Sequence, residues 1–348
     1  MRPFSLLVKP VGGACNLACS YCFYREHASG VMSPAVAERL FSSYDALPFA
    51  NKAVALQGGE PLLAPDSVFE ALGAANVERS LQTNGISLTP EKADRLKRGN
   101  YLVGLSLDGP AALNRGRGDE AVFEKIVAAA RLLENFAVDY NLLTVVSRWN
   151  ATKAKEIYRF FRETFATRFY QFIECTGPRD EVTGAAWGTF LIDLFDEWKK
   201  ADTRVISIRL FDSILSQILR GYPTQCSFAT SCRQYLVVEH DGSVYPCDFH
   251  VREDLKLGNI MTHSWEELIS SPVYEAFARA KTNTLSPACR ACAYRVFCQG
   301  DCPRNRKAGR SVLCDGWKAF FAHTLPTFRA LAESVSPTAL QAKPELTL

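Results

Sequence analysis

The residues best equipped for chemistry in this 348-residue chain are its twelve cysteines, and their spacing divides them. Cys15, Cys19 and Cys22 fall in the run CNLACSYC, with C-x3-C-x2-C spacing. Eight more lie in the last third: Cys226, Cys232, Cys247, Cys289, Cys292, Cys298, Cys302 and Cys314. Only Cys175 stands apart, and it reads as a small buried hydrophobe. Thiolate is the natural ligand of iron–sulfur clusters. Three thiolates can hold three irons of a four-iron cluster and leave the fourth open to a small molecule. Eight can close two such clusters completely. Zinc is the competing metal, since two zinc ribbons would also use eight thiolates. A structural zinc site closes with four ligands, however, and the first group has only His27 nearby, read as an exposed helix-flank residue.

The elements that must position these thiols alternate through about residue 200. SLLVKP leads into the first cysteine loop, and MSPAVAERLFSSY reads as a helix that Ser33 can cap and Pro34 can open. AVALQGGEP precedes a helix near 66–75, VERSLQTNG a helix from Thr89, and YLVGLSLDGP a helix near 120–135. AVDYNLLTVV is followed by a helix from about Ala151, and RFYQFIE by one near 185–200. Six strand-then-helix units predict a parallel α/β sheet or partial barrel over residues 1–203. A doubly wound nucleotide fold is the alternative, but no G-x-G-x-x-G follows the first strand. Ligands of such folds gather at the carboxyl ends of the strands. There stand the cysteine loop, Gln57-Gly58-Gly59-Glu60, Gln82-Thr83-Asn84-Gly85 and Ser106-Leu107-Asp108-Gly109.

From about residue 204 the alternation is expected to stop. A hairpin turning at Asp241-Gly242, a short helix near 264–279 and the run CRACAYRVFCQGDC make a Cys-rich domain over 204–325, with a tail at 326–348. Little there could supply a large core, so bound metal is expected to hold it together.

Net charge of +3 with 22% charged residues gives no nucleic-acid surface. No apolar run nears the roughly 18–20 residues needed to span a bilayer, so no membrane partner is expected. MRPFSLLVKPVGGAC lacks the pattern of a secretory signal. The expected location is cytoplasmic, where patterned cysteines bind metal more often than they pair as disulfides.

Cys15, Cys19 and Cys22, with Phe23-Tyr24 after them and QGGEP, QTNG and SLDGP at later strand ends, resemble the radical S-adenosylmethionine (SAM) superfamily. The resemblance implies a partial (β/α)6 barrel whose open cluster iron binds SAM and whose reduction yields a 5′-deoxyadenosyl radical. It implies that Tyr21 lies beside the adenine and that Gly58, Gly59 and Glu60 receive the methionine amino group. Ser106 would meet the ribose or carboxylate, Thr176 the adenosine, and Arg115 the carboxylate, with Arg117 as the alternative. The family's His-Asp pair before that arginine is absent here.

The eight later cysteines resemble the SPASM extension with two auxiliary four-iron clusters. By that resemblance one takes Cys226, Cys232, Cys247 and Cys302, and the other Cys289, Cys292, Cys298 and Cys314. All eight positions are filled, which implies closed clusters serving electron transfer or structure.

Nearly the whole chain most resembles the anaerobic sulfatase-maturating enzymes, through CNLACSYCFY, LVGLSLDGP, NLLTVVSRWNA, FDEWKK, DGSVYPCDFHV, LGNI, CPRNR and CDGWKAFF. The implied activity converts a cysteine or serine of a sulfatase peptide, in a C/S-x-P/A-x-R motif, to Cα-formylglycine. The implied partners are that peptide or unfolded protein and a flavodoxin- or ferredoxin-type electron donor. Asp248, directly after Cys247, stands where the family keeps its catalytic base. A buried carboxylate beside an anionic centre is a good proton acceptor. Tyr24 and Gln57 would contact the substrate, while Ala55-Leu56 replaces an aromatic the family carries before QGGEP. Two other readings remain at this point: a ribosomal-peptide maturase forming thioether or carbon–carbon crosslinks, and a zinc-binding interaction protein. Crosslinking maturases commonly add an N-terminal precursor-binding domain, for which the start of the loop at residue 15 leaves no room.

Overall fold

The computed structural model describes residues 4–177 and 179–335. Six strands alternate with six helices: β1 (Phe4–Lys9), α1 (Pro34–Asp45), β2 (Lys52–Leu56), α2 (Asp66–Ala74), β3 (Glu78–Thr83), α3 (Pro90–Arg98), β4 (Tyr101–Ser106), α4 (Glu120–Asn135), β5 (Tyr140–Val146), α5 (Ala154–Thr164), β6 (Phe169–Glu174) and α6 (Gly184–Trp198). Each strand pairs in parallel with the next. Ser33 caps α1 as the sequence predicts, accepting from Val36 N at 3.3 Å, and Thr89 caps α3, accepting from Lys92 N at 3.3 Å. Pro34 and Pro90 occupy the first turns, where a missing N–H costs nothing.

The alternation does not stop at residue 204. A further unit follows, β7 (Ser207–Ile208) and α7 (Arg209–Arg220), with β7 parallel to β6. β8 (Tyr235–Glu239) and β9 (Ser243–Tyr245) form the hairpin expected at Asp241-Gly242, where Gly242 takes φ +82°. This hairpin is not separate from the barrel sheet, because β8 runs parallel to β1 in the register Ser5↔Tyr235 to Lys9↔Glu239. With β10 (Gly258–Asn259) the order is β10-β9-β8-β1-β2-β3-β4-β5-β6-β7. One sheet therefore carries strands from both parts of the chain.

The helix expected near 264–279 divides into α8 (Trp265–Ile269) and α9 (Pro272–Asn283), because Pro272 cannot continue the preceding ladder. Short helices α10 (Pro287–Arg290) and α11 (Arg295–Cys298), a hairpin of β11 (Arg306–Lys307) and β12 (Arg310–Ser311), and α12 (Cys314–Glu333) complete the chain. The helix α12 runs on past residue 325 into the expected tail, and residues 336–348 lie outside the described residues.

Strand periodicity divides the sheet into two faces. Leu6, Val8, Val54, Leu56, Leu81, Val103 and Leu142 are fully buried in the hydrophobic core. Many of the alternate residues are small or polar, among them Ser5, Ala53, Ala55, Ser80, Gln82 and Gln171, beside the larger Leu7, Leu143, Val145 and Ile173. Gly104 belongs with the small ones, since a Cβ there would lie 2.7 Å from Leu143 Cδ1. A barrel interior is usually packed with branched side chains. Here the small residues leave it open, and the site lies in that space.

Candidate active site

The inner faces of β1 to β6 enclose a cavity of about 460 Å³. Cys15, Cys19 and Cys22 open onto it, as do Tyr21, Tyr24, Gln57, Gly58, Gly59, Ser106, Thr176, Cys226 and Asp248. The structure thus brings together most of the residues singled out in the sequence, from loops far apart along the chain.

The loop before Cys15 is held by backbone contact with the QGGEP segment. Gly59 N donates to Gly12 O and Glu60 N to Ala14 O, both at 2.7 Å. Gly58, at φ +114°, lies against the Lys9 side chain. Glu60 departs from expectation. Its buried carboxylate accepts from Leu62 N (3.0 Å), Thr83 Oγ1 (2.7 Å) and Asn84 N (2.9 Å), bracing the β2 and β3 loops rather than lining the cavity. Asn84, which the sequence placed only within a motif, reaches the cysteine loop itself through Cys15 Sγ at 3.5 Å and Asn16 Oδ1 at 2.8 Å.

Arg115 is not at the cavity. Its Nε donates to Ala112 O at 3.1 Å and its guanidinium lies 6.0 Å from the exposed Trp149 ring. Arg117 lines the cavity instead, with Nη2 on Asp108 Oδ1 at 3.0 Å and its guanidinium 5.6 Å from the Tyr21 ring. Tyr21 donates its hydroxyl to Asp108 as well. The 3₁₀ turn at Ala111–Leu113 carries the chain outward, and the return brings Arg117 inward. Among the described residues Arg117 Nε is buried without a hydrogen-bond partner, which fits it to a polar ligand beside Cys19.

At the other wall, Asp248 is buried and accepts from Tyr235 Oη at 2.9 Å, while Lys9 Nζ lies 3.8 Å from its second oxygen. Tyr235 also reaches Cys247 Sγ at 3.3 Å. Burial lowers the Lys9 ammonium, and Asp248 and Glu239 pull it back up. Tyr24 lies against this group, its ring 4.4 Å from Lys9 Nζ, and its hydroxyl is committed to Glu239. Only its ring therefore remains for a substrate. His27 is half-buried rather than exposed, stacked on that ring at 4.3 Å. Lys9, Tyr235 and Glu239 went unread in the sequence. A lysine two residues after inward-facing Leu7 was the available signal for Lys9, whereas the other two depend on the β1–β8 pairing.

Several of the eight later cysteines lie within electrostatic reach of one another. Cys226 feels the charge of Cys232, Cys302 that of Cys226, and Cys247 that of Cys302. Cys298 feels Cys314, and Arg310 feels both Cys314 and Cys289. Cys292 N closes a turn on Cys289 O at 3.3 Å. Burial pushes the Cys19 thiol up to about 11 and those of Cys298 and Cys302 up to about 12. Thiolates held in such surroundings are stabilised by a bound metal centre, which fits the donor set to iron–sulfur clusters. Gly316 fixes the start of α12, because a Cβ there would lie 1.9 Å from Gly184 O on α6. Cys175 is buried and also pushed up to about 11, with its thiol on Arg179 O at 3.5 Å.

Comparison with known proteins places both parts of the chain in families. The Radical SAM superfamily model matches residues 10–161, and the SPASM iron-sulfur cluster-binding domain matches 226–293. The chain is 33% identical to the cysteine-type anaerobic sulfatase-maturating enzyme of Clostridium perfringens, over 96% of this chain and 100% of that one. The chain belongs to the anaerobic sulfatase-maturating enzymes. The serine-type relative of Bacteroides thetaiotaomicron is 30% identical over 93% of this chain and 90% of its own. The solved native anSMEcpe with bound AdoMet and Cp18Cys peptide superposes with a TM-score of 0.89 at 32% identity, covering 96% of this chain and 100% of that one. As a radical SAM and SPASM protein of the anaerobic sulfatase-maturating family, the chain uses S-adenosyl-L-methionine and iron–sulfur clusters. Among the described residues no helix is long and apolar enough to cross a membrane.

Proposed function

We propose that this protein converts a cysteine or serine of a sulfatase peptide, in a C/S-x-P/A-x-R motif, to Cα-formylglycine. The observation that carries the reading is that Asp248 and the three N-terminal cysteines open onto one cavity. When bound, SAM and the clusters supply the one-electron chemistry that takes a hydrogen atom and an electron from the substrate's β-carbon. Asp248 takes the thiol or hydroxyl proton, with Tyr235 fixing one of its oxygens and Lys9 facing the other. For cysteine, water then replaces sulfur, which leaves as hydrogen sulfide.

Arg117, Tyr21, Ser106, Thr176 and the Gly58-Gly59 backbone hold SAM, and the Tyr24 ring and Gln57 hold the peptide. Cys15, Cys19 and Cys22 carry the SAM-binding cluster. One auxiliary cluster takes Cys226, Cys232, Cys247 and Cys302, and the other Cys289, Cys292, Cys298 and Cys314. A flavodoxin- or ferredoxin-type protein supplies reducing electrons in the cytoplasm.

The test incubates reduced, reconstituted protein with SAM and a short C-x-P-x-R peptide. The expected result is a peptide mass loss matching formylglycine, accompanied by 5′-deoxyadenosine. Asp248→Asn should abolish formylglycine while keeping iron content and SAM binding. An internal crosslink as product, or an Asp248→Asn variant that still makes formylglycine, refutes the assignment.

A further inference from the structure

Glu174 is an acid of the cavity that the reaction above leaves unused. It ends β6, and its side chain lines the cavity beside Thr176. Its Oε1 accepts from Asn305 Nδ2 at 2.9 Å. Asn305 is oriented from two other directions: its amide oxygen takes the Thr176 hydroxyl, and its Nδ2 also reaches Asp301 Oδ2 at 3.1 Å. Asp301 is fully occupied, accepting from Cys302 N at 2.6 Å, Ser311 Oγ at 2.7 Å and Trp317 Nε1 at 3.2 Å. Glu174 is therefore held by a neutral amide and by its own backbone N–H. Among the described residues its Oε2 has no side-chain donor.

Two other acids of the site, Asp248 and Asp108, face a cation within the protein. Asp248 has Lys9 at 3.8 Å, and Asp108 has Arg117 at 3.0 Å. Glu174 makes no ion pair among the described residues. Arg304, whose charge it feels, stacks on Phe249 at 4.0 Å and Phe23 at 5.1 Å. A carboxylate in a low-dielectric cavity is costly without a counter-charge, and a ligand can provide one. Burial and neighbouring Asp301 both raise the Glu174 carboxyl, the direction expected of an acid that lacks a cation.

We infer that Glu174 is a specificity-determining residue whose carboxylate, lacking an ion pair among the described residues, takes the guanidinium or ammonium of a basic side chain in the peptide substrate. This rests on the reading that a peptide enters the cavity. For a C-x-P-x-R peptide the cation is the motif's arginine.

The test compares two fluorescently labelled peptides, one with that arginine and one with glutamine in its place. Binding is measured by anisotropy to reconstituted, SAM-loaded, unreduced enzyme, and conversion is followed separately by mass. Wild type should prefer the arginine peptide by tenfold or more in Kd. Glu174→Gln should remove the preference, with unchanged iron content and SAM affinity, while Glu174→Asp should keep it. Equal preference in wild type and Glu174→Gln, or failure of wild type to bind either peptide, overturns the inference. Peptide that binds with the expected preference but emerges unmodified refutes the formylglycine reading and leaves the role of Glu174 standing.

Discussion

Replacing Gly59 by alanine tests how closely the cluster loop depends on the QGGEP turn. The added Cβ would lie 1.7 Å from Ala14 O and 2.4 Å from Ala14 C. Both obstacles are backbone, so no side-chain rotation relieves them. The contact must open by more than an ångström before ordinary van der Waals spacing returns. That movement breaks the hydrogen bonds from Gly59 N to Gly12 O and from Glu60 N to Ala14 O. Two backbone hydrogen bonds at about 1 kcal/mol each, with overpacking of about 1–3 kcal/mol, place the cost at about 3–5 kcal/mol. Ala14 precedes Cys15, so the strain falls on the first thiol of the three. Reconstituted Gly59→Ala should drop from about twelve irons per chain towards about eight, as one four-iron cluster is lost and two remain. It should also lose SAM binding and unfold at lower denaturant concentration. Gly73→Ala is the control, because a Cβ there meets nothing within 4 Å and the site lies within α2. A Gly59→Ala protein with full iron and wild-type SAM affinity would refute the reasoning.

Arg117→Gln should weaken SAM binding at least tenfold and, by leaving buried Asp108 unpaired, cost about 3–5 kcal/mol of stability. Arg115→Gln should leave both within error, and equilibrium SAM binding with urea titration distinguishes the two. Gly316→Ala forces α12 away from α6, so it should destabilise by at least about 1–3 kcal/mol and lower auxiliary iron, read by thermal melting and metal analysis. Iron chelation should leave the sheet folded by circular dichroism while limited proteolysis cuts between residues 286 and 312, where among the described residues only Phe297 is buried in the core; protection there after complete iron removal would contradict this.

The six barrel units could be read because most strands carry a local apolar pattern and several helices their own cap, as Ser33 and Thr89 illustrate. The cysteines could be read because ligand spacing is local. What escaped depends on contacts between distant segments. The pairing of Tyr235 with Ser5 leaves no trace in either segment alone, and without it Lys9, Glu239 and Tyr235 have no visible link to Asp248. The exchange of Arg115 for Arg117 has a smaller cause: a short 3₁₀ turn sets which arginine points inward, and turn phase is poorly encoded in composition. Glu60 misled because its neighbours in the motif do line the cavity, while its own carboxylate has three donors elsewhere.

The parallel register of β1 with β8 also bears on the order of events in the cell. The loop carrying Cys15, Cys19 and Cys22 leaves the end of β1, and Asp248 follows the hairpin that β8 begins. Both thus trace back to two neighbouring strands, β1 and β8, joined by a ladder five residue pairs long. The two reactive walls cannot close on a substrate like jaws without tearing that ladder. Shape adjustment falls to the incoming polypeptide, which must bend to thread the interior of the barrel. A sulfatase already folded around its target residue could not do so. Under the proposed function, modification has to precede the folding of its client.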